Sequence, residues 1–582
     1  MGSEMCIRDS GNTLTVTDAE GNTTTNTYDA LDRLIKVTDA LGNTTEYTYD
    51  KNRNLTSIKD AKGNITTYTY DSLNRLTKTT YPNGSTETYA YDEVGNLVSK
   101  TDQKGNTINY VYDNLNRLIT KTYPDGTTVT YAYDALSRLT STSNNNSTIS
   151  YTYDALNRVT QVNQDGKTVA YEYDAVGNRT KLTYPDGSYI TYTYDALNRL
   201  DQIKDSTGQV IADYTYDSLS RRTQLDLANG TQATYQYDQI SRLTNLVNKV
   251  SATDAIISSF AYNYDKVGNR TSMTTTEGTH SYTYDKIYQL ISVDYPDGYP
   301  FPDITYNFDA VGNRTSTVNG GTVNYTTNNM NQYTDVGGTA YTYDANGNLT
   351  SDGTNTYIYD YENRLIQVVT PTDTITFAYG PLGRRISKTD STGTIRYIYD
   401  GDQVIMETDG TGTITATYAY GTGIDEVLTM TRGGSTYYYH LDGLGSVKEI
   451  TDSIGSTVEK YKYDVYGQPA IFDGAGNSLT ESAIGNSYMF TGRRYDKESG
   501  LYYYRGRYYK PEIGRFIGMD PVTWGPNDSR VLYENEVTTF ISDIVITYAG
   551  IRNPELFQRL SLIHISEPTR PLYISYAVFC LK

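Results

Sequence analysis

Rings and hydroxyls alternate along most of this chain. In TTYTYDSLNRLTK (66–78), Tyr68 and Tyr70 alternate with Thr67 and Thr69, the period of two expected of a strand with unlike faces. Tyr and Thr both suit a pleated surface. The alternation stops at Asp71-Ser-Leu-Asn74, where Asp can bond its own backbone two residues on and Asn tolerates left-handed dihedrals. Gly takes the Asn slot in YDEVGNL (91–97) and YDAVGNR (173–179), an exchange that points to a positive φ. A second turn closes each unit, as TDALGN (38–43) or as YPNG and YPDG at Tyr81, Tyr123, Tyr184 and Tyr295. There Pro presets the first corner and Gly relieves the last. Helical periodicity is weak throughout. The pattern predicts an all-β chain of short hairpins.

The same phrase returns many times. YTYDALNRL (192–200) has near copies at 68–76, 110–118 and 131–139. Its marker aspartates Asp29, Asp50, Asp71, Asp92, Asp113 and Asp134 stand 21 residues apart. The spacing then drifts through Asp154, Asp174, Asp195, Asp217 and Asp238, and loosens through Asp265, Asp285, Asp309, Asp344, Asp360 and Asp400. An active site is built once, so a phrase used this often is a structural unit. A fixed period of this length means a stacked or spiralling array. About 35 strands at about 4.8 Å give about 170 Å of sheet, and an open twisted sheet of more than about ten strands curls. Rolled into a single turn, it has a diameter of about 50 Å and a hollow of about 30 Å, allowing about 10 Å of wall on each side. A domain of about 100 residues just fits such a space, although a filled spiral without a cavity satisfies the same pattern.

Composition agrees with sheets rather than an aliphatic globule. The 582 residues include 62 Tyr but 10 Phe and one Trp, rings that are apolar in body and polar at the tip. A net charge of −19, without a Lys/Arg-rich patch, argues against nucleic acid and anionic membranes as partners. No run of 18 apolar residues is present, so no transmembrane segment is expected. There is no phosphate-cradling glycine loop and no His-Glu-x-x-His motif. The paired acids sit mostly in turns, which disfavours a glycosidase.

Both ends read as foreign sequence. LSLIHISEPTR (560–570) matches a translated transposase-type sequencing adaptor. The opposite strand of that short duplex, read in another frame from a GTG start, gives MGSEMCIRDS (1–10). Residues 1–10 are therefore set aside, as an expression tag would be. The tail 531–582 is also left out of the fold, since 531–559 lacks the Tyr-Asp phrasing. Cys6 and Cys580 go with the ends, leaving no disulfide or thiolate chemistry to argue. His280 and His440 are too few for a histidine-based metal site, and no cofactor is expected. With the true start missing, a signal peptide cannot be assessed.

From about Tyr437 the grammar changes. YYYHLDGLGSVKEITDSIGSTVEKYKYDVYGQP (437–469) leads to FTGRRYDKESGLYYYRGRYYKPEIGRFIGMDP (490–521). With these phrases the chain, over roughly residues 11 to 522, resembles bacterial RHS/YD-repeat proteins that end in an RHS repeat-associated core. The resemblance implies YD repeats over 11–430 wound into a hollow β-spiral shell, similar to those of teneurins and insecticidal Tc toxins. A core over 431–530 is expected to plug one end. In such proteins a variable C-terminal toxin follows, and the core acts as an intramolecular aspartic protease that frees it inside the shell. Carried over, Asp496 and Asp520 match recurring carboxylates, and Arg494 and Arg515 match recurring basic positions nearby. Self-cleavage of this kind needs two Asp close enough to share a proton, one ionised to activate water and one protonated to polarise the carbonyl. The bland alternative is a turn residue at Asp496 and an ordinary Asp-Pro loop at Asp520.

The function implied is a secreted or surface-delivered shell fragment of a polymorphic toxin. Its partners would be its own C-terminal toxin segment and an immunity or secretion-system protein. The rival reading is cell-surface adhesion or glycan binding through exposed tyrosines. The family's first DPxG stands here as DPVT (520–523), and a second, near the usual cut, is absent. This chain as written is therefore expected to stay intact on a gel, and a version with its native continuation to self-cleave. A clean cut near residue 540 in the present chain would refute the first half.

Overall fold

A computed structural model describes residues 4–7 and 11–519. Among these there are 52 strands, one 3-10 turn at Phe490–Gly492 and no α-helix. Each strand pairs antiparallel with its chain neighbours, through 33 strands as far as Thr339–Ala340 and then 15 from Thr342–Tyr343 to Ser478–Leu479. A separate four-stranded sheet follows, Arg494–Asp496, Leu501–Tyr504, Arg507–Lys510 and Arg515–Phe516. The change of grammar near Tyr437 leaves the wall unbroken as far as 479. At the other end Glu4–Ile7 pairs with Thr13–Thr17. A free edge offers its N–H and C=O groups to any extended segment, so this pairing carries no information about where those residues come from.

The hairpin phrase folds for local reasons. Ile65–Tyr70 pairs with Leu76–Thr80, with a bulge between Thr69 and Tyr70. In the turn, Oδ1 of Asp71 accepts the N–H groups of Leu73 and Arg75, both at 2.9 Å. Asn74 sits at φ 62°, and Gly95 fills the same slot at 99°, as the Asn/Gly exchange requires. The other letters of the phrase join unit to unit. Tyr70 donates its hydroxyl to the Leu55 carbonyl at 2.8 Å. Arg75 binds Asp71 through Nε at 2.7 Å and donates to the Asp92 carbonyl of the next unit at 2.8 Å. Its guanidinium lies 4.9 Å from the centre of the Tyr91 ring. That stack recurs at 4.6–5.0 Å from Arg33 to Arg364. Each contact is worth about 1 kcal/mol or less, but the sum over neighbours holds the array.

The ribbon does not close in a single turn. Its two rims, one of marker turns and one of TDxxGN or YPxG turns, meet each other across successive revolutions. Asn22 bonds Tyr288, 266 positions on, and Lys121 pairs with Glu362, 241 on. The offset falls to 193 at Asn248–Leu441 and 164 at Tyr299–Tyr463. The wall is therefore a tapering spiral. Its wide revolution of about 25 strands has a diameter of about 38 Å, and its last, of about 18, about 27 Å. The single-turn estimate of about 50 Å is corrected downwards because the ribbon overlaps itself.

Packing follows the taper. Before residue 160 the buried apolar residues are Ile149 and two small clusters, Val37, Tyr47, Leu55 and Ile58, and Ile108, Tyr123 and Val129. From Val169 onwards a continuous cluster runs through wall and four-stranded sheet to Tyr509. The part of the wide revolution before residue 160 has few buried residues, whereas from Val169 the first revolution packs against the second and against the four-stranded sheet. Replacing Tyr112 by Phe removes the bond to the Leu97 carbonyl (3.0 Å) and is expected to cost about 1 kcal/mol. Hydrogen exchange should report faster opening of the strands at 97–112 and no change beyond residue 400.

Candidate functional site: the plug and its wall contacts

The sequence FTGRRYDKESGLYYYRGRYYKPEIGRF folds into the four-stranded sheet because its turns hold residues suited to left-handed dihedrals. Gly500, Arg505 and Gly514 take φ of 70°, 60° and 65°. All of Leu501–Tyr504 and Arg507–Lys510 is buried. The two faces meet different partners. Tyr502, Tyr504 and Tyr509 join the large cluster, and Leu501, Tyr503 and Tyr508 join a second one with Tyr333, Leu349 and Val368 of the wall. The sheet is a septum across the narrow revolution, covered on both sides.

Its charges are matched by the wall around the circle. Arg494 pairs with Glu407, which also takes Arg432 at 2.6 Å. Asp496 pairs with Arg385 and lies 3.9 Å from Lys388. Lys510 meets Asp352 at 2.9 Å, Arg493 and Arg505 share Asp425 at 2.8 and 2.7 Å, and Arg515 donates to the Asn331 carbonyl at 2.7 Å. Tyr502 and Tyr509 donate their hydroxyls to the carbonyls of Gly467 and Tyr466. Burial alone would raise the Glu407 carboxyl, but Arg494 and Arg432 outweigh it and hold it at about 2. Asp464, in the turn that meets Tyr502 and Tyr509, is raised by burial to about 6. His280 and His440 are pushed down by burial to about 3 and stay neutral at ordinary pH.

The structure brings Arg494 and Asp496 to one edge of the septum and Arg515 to the opposite edge. The two edge strands are about 14 Å apart. Asp496 is 3% exposed and engaged with wall cations. Asp520 lies outside the described residues, as do the DPVT segment and the tail 531–582. Met519, the last described residue, donates its N–H to Asn348 on the Arg515 side at 2.8 Å. Among the described residues no group of three or more His, Cys, Asp or Glu is placed to hold a metal ion.

Sequence reasoning missed the wall half of these pairs, although a signal was present. Five residues after the marker position the phrase usually has Leu, but GNRT, SRRT and GRRI put Arg there at Arg179, Arg222, Arg270, Arg314 and Arg385. Arg179, Arg222 and Arg385 meet the distant carboxylates Asp400, Glu426 and Asp496, while Arg270 stacks on Tyr262 of its own hairpin neighbour and Arg314 on Tyr466 of the later wall. At four of these five positions, arginine in the leucine slot marks where the wall touches another revolution or the septum.

Removing one partner of a buried pair leaves an uncompensated charge, at a cost of about 3–5 kcal/mol. Glu407→Gln is expected to lose about that much at pH 7. The folded Glu407 is held below its ordinary value of 4.5, so its stabilisation is present above that value and fades as pH falls through about 2. Denaturant titrations at pH 7 and pH 2.5 should show the difference between the variant and the parent shrinking in acid.

The sequence model of the teneurin YD-shell family matches residues 5–147 and 213–528, and that of the RHS repeat matches 133–164 and 153–189. The tRNA3(Ser)-specific nuclease WapA of Bacillus spizizenii is 37% identical over 254 residues, 42% of this chain and 11% of that protein. The double-stranded DNA deaminase toxin A of Burkholderia cenocepacia is 29% identical over 219 residues, 31% of this chain and 15% of that one. The chain thus spans a small part of the length of these relatives. Among solved structures, a Photorhabdus luminescens Tc holotoxin pore aligns with 95% of this chain and 36% of its own, at TM-score 0.62 and 18% identity. TcdB2-TccC3 without its hypervariable C-terminal region aligns with 89% and 34%, at TM-score 0.59 and 18% identity. These two carry the fold alone.

Proposed function

This chain belongs to the teneurin YD-shell family, and from that premise we propose that it is the shell segment of an RHS polymorphic toxin. Its spiral wall encloses a C-terminal toxin segment, and the septum at 494–516 closes the narrow end. The observation that carries this reading is the taper: a wide revolution whose first half, before residue 160, has few buried residues leads to a narrow one sealed by paired charges. The relatives named as a tRNA-specific nuclease and a double-stranded DNA deaminase toxin support a toxin cargo, delivered by secretion or at the cell surface. Adhesion through wall tyrosines draws less support, because the marker tyrosines from Tyr49 to Tyr463 give their hydroxyls to neighbouring carbonyls. Asp496 anchors the septum in this reading. To serve as a protease carboxylate it needs a second carboxylate, and it also needs its wall cations to yield.

Two measurements test the container. Single-particle images of the present chain should show a central space at the wide end and density across the narrow one. A compact passenger carried after the septum should resist trypsin until the shell is unfolded. A solid particle, or a passenger digested as fast as the free domain, refutes enclosure. Glycan binding without protection would favour adhesion instead.

A further inference from the structure

Asp464 differs from the marker aspartates of the earlier wall. There the second carboxylate oxygen binds the residue four positions on, as Asp71 binds Arg75 at 2.7 Å and Asp92 binds Asn96 at 2.8 Å. After Asp464 that residue is Gln468, which gives only its backbone N–H, at 2.8 Å, to the oxygen that also accepts Tyr466 at 2.9 Å. The other oxygen has no hydrogen-bond donor among the described residues. One arginine attracts it, but only at longer range. That residue, Arg314, is 5% exposed and lies 3.9 Å from the centre of the Tyr466 ring and 4.9 Å from that of Tyr306, with Nη2 buried and unpartnered. Three other arginines of the leucine slot close on their acids. Arg314 does not.

The remaining titratable groups around Asp464 are tyrosines whose hydroxyls burial keeps protonated. Tyr295, Tyr299 and Tyr306 face it from the earlier wall, and Tyr502 and Tyr509 from the septum. Behind Tyr295 and Tyr299 stands His280, which burial keeps neutral, and Lys462 beyond them is taken by Glu277 at 2.7 Å. The turn is also where three parts of the molecule meet. Val465 donates its N–H to the Tyr295 hydroxyl at 3.0 Å, Tyr509 donates to the Tyr466 carbonyl at 2.9 Å, and Tyr502 to that of Gly467 at 2.8 Å.

We propose that Asp464 is a proton-controlled catch for the septum: with its carboxyl protonated the turn holds Tyr502 and Tyr509, and with it ionised the turn opens and that face of the septum loosens. This rests on the reading of the septum as the closure of the narrow end and adds a control to it. An ionised carboxylate here keeps one oxygen without a donor, which is unfavourable away from water. Opening the turn to water relieves it, and so does drawing Arg314 off Tyr466. Either movement displaces Tyr466 and Gly467, whose carbonyls seat the septum. Burial raises Asp464 to about 6 from its ordinary 3.8, so the closed turn binds the proton more tightly than the opened one. Its advantage is whole below 3.8, shrinks as pH rises, and levels off above about 6. Between pH 5 and pH 8 the opening equilibrium should change by about tenfold.

Hydrogen exchange of the full chain, corrected for the intrinsic effect of pH, tests this. Protection at 464–468 and 501–510 should fall about tenfold from pH 5 to pH 8, with no such change at 97–112. Asp464→Asn should keep the pH 5 protection throughout. Asparagine suits this slot, since Asn328 accepts the same two backbone N–H groups at 2.9 and 3.1 Å. Gln468→Arg, which supplies the donor that Arg75 gives Asp71, should likewise flatten the response by protecting at pH 8. Glu449, raised by burial to about 7, contacts Ser258 instead, and Glu449→Gln should leave the response in place. A parent chain with equal protection at both pH values overturns the proposal. So does a response that survives Asp464→Asn and Gln468→Arg, or one that vanishes with Glu449→Gln. The septum reading is judged separately: density across the narrow end at pH 5 without any pH response refutes the catch alone, and no density at either pH refutes the closure.

Discussion

The carboxylate of the marker aspartate is the interaction on which the wall depends. One oxygen closes its own turn by accepting two N–H groups, as Asp71 does for Leu73 and Arg75. The other holds the arginine that reaches the next unit. A single side chain thus fixes the shape of a hairpin and its distance from its neighbour. Because bulge, turn and stack repeat with the same geometry, the ribbon bends by nearly the same amount at each step, and a constant bend closes into a coil.

The septum follows a different logic. It is held by opposite charges whose partners lie around the circumference, Asp352, Arg385, Glu407 and Asp425 among them. Buried pairs are poor sources of net stability, but they strongly penalise a wrong register. Aromatic rings would let the sheet slide or turn within the coil. The charge pattern fixes one seating.

What could be read from the sequence was what is local. Tyr68, Tyr70, Asp71 and Asn74 carry strand, turn and positive φ within seven positions, and the Asn/Gly exchange fixed the dihedral sign. The all-β spiral followed from repeating them. The second revolution was not legible, because Lys121 and Glu362 stand 241 positions apart and neither looks unusual in its own hairpin. Arg494, Asp496 and Arg515 were singled out through a family resemblance, yet their partners lie far away in sequence. Asp496 needs Arg385, 111 positions earlier, and only an arginine in a leucine slot hints at it.

Successive coils touch through side chains at turn tips, such as Gln164 on the Tyr397 carbonyl and Tyr184 on that of Tyr418, whereas strands within a coil share a continuous backbone ladder. Before residue 160, where no continuous apolar cluster joins the coils, the seam is therefore the weakest line in the wall. Under tension along its axis the barrel would part there like an unwinding watch spring, each hairpin still intact, and its interior would open without any melting of the fold around it.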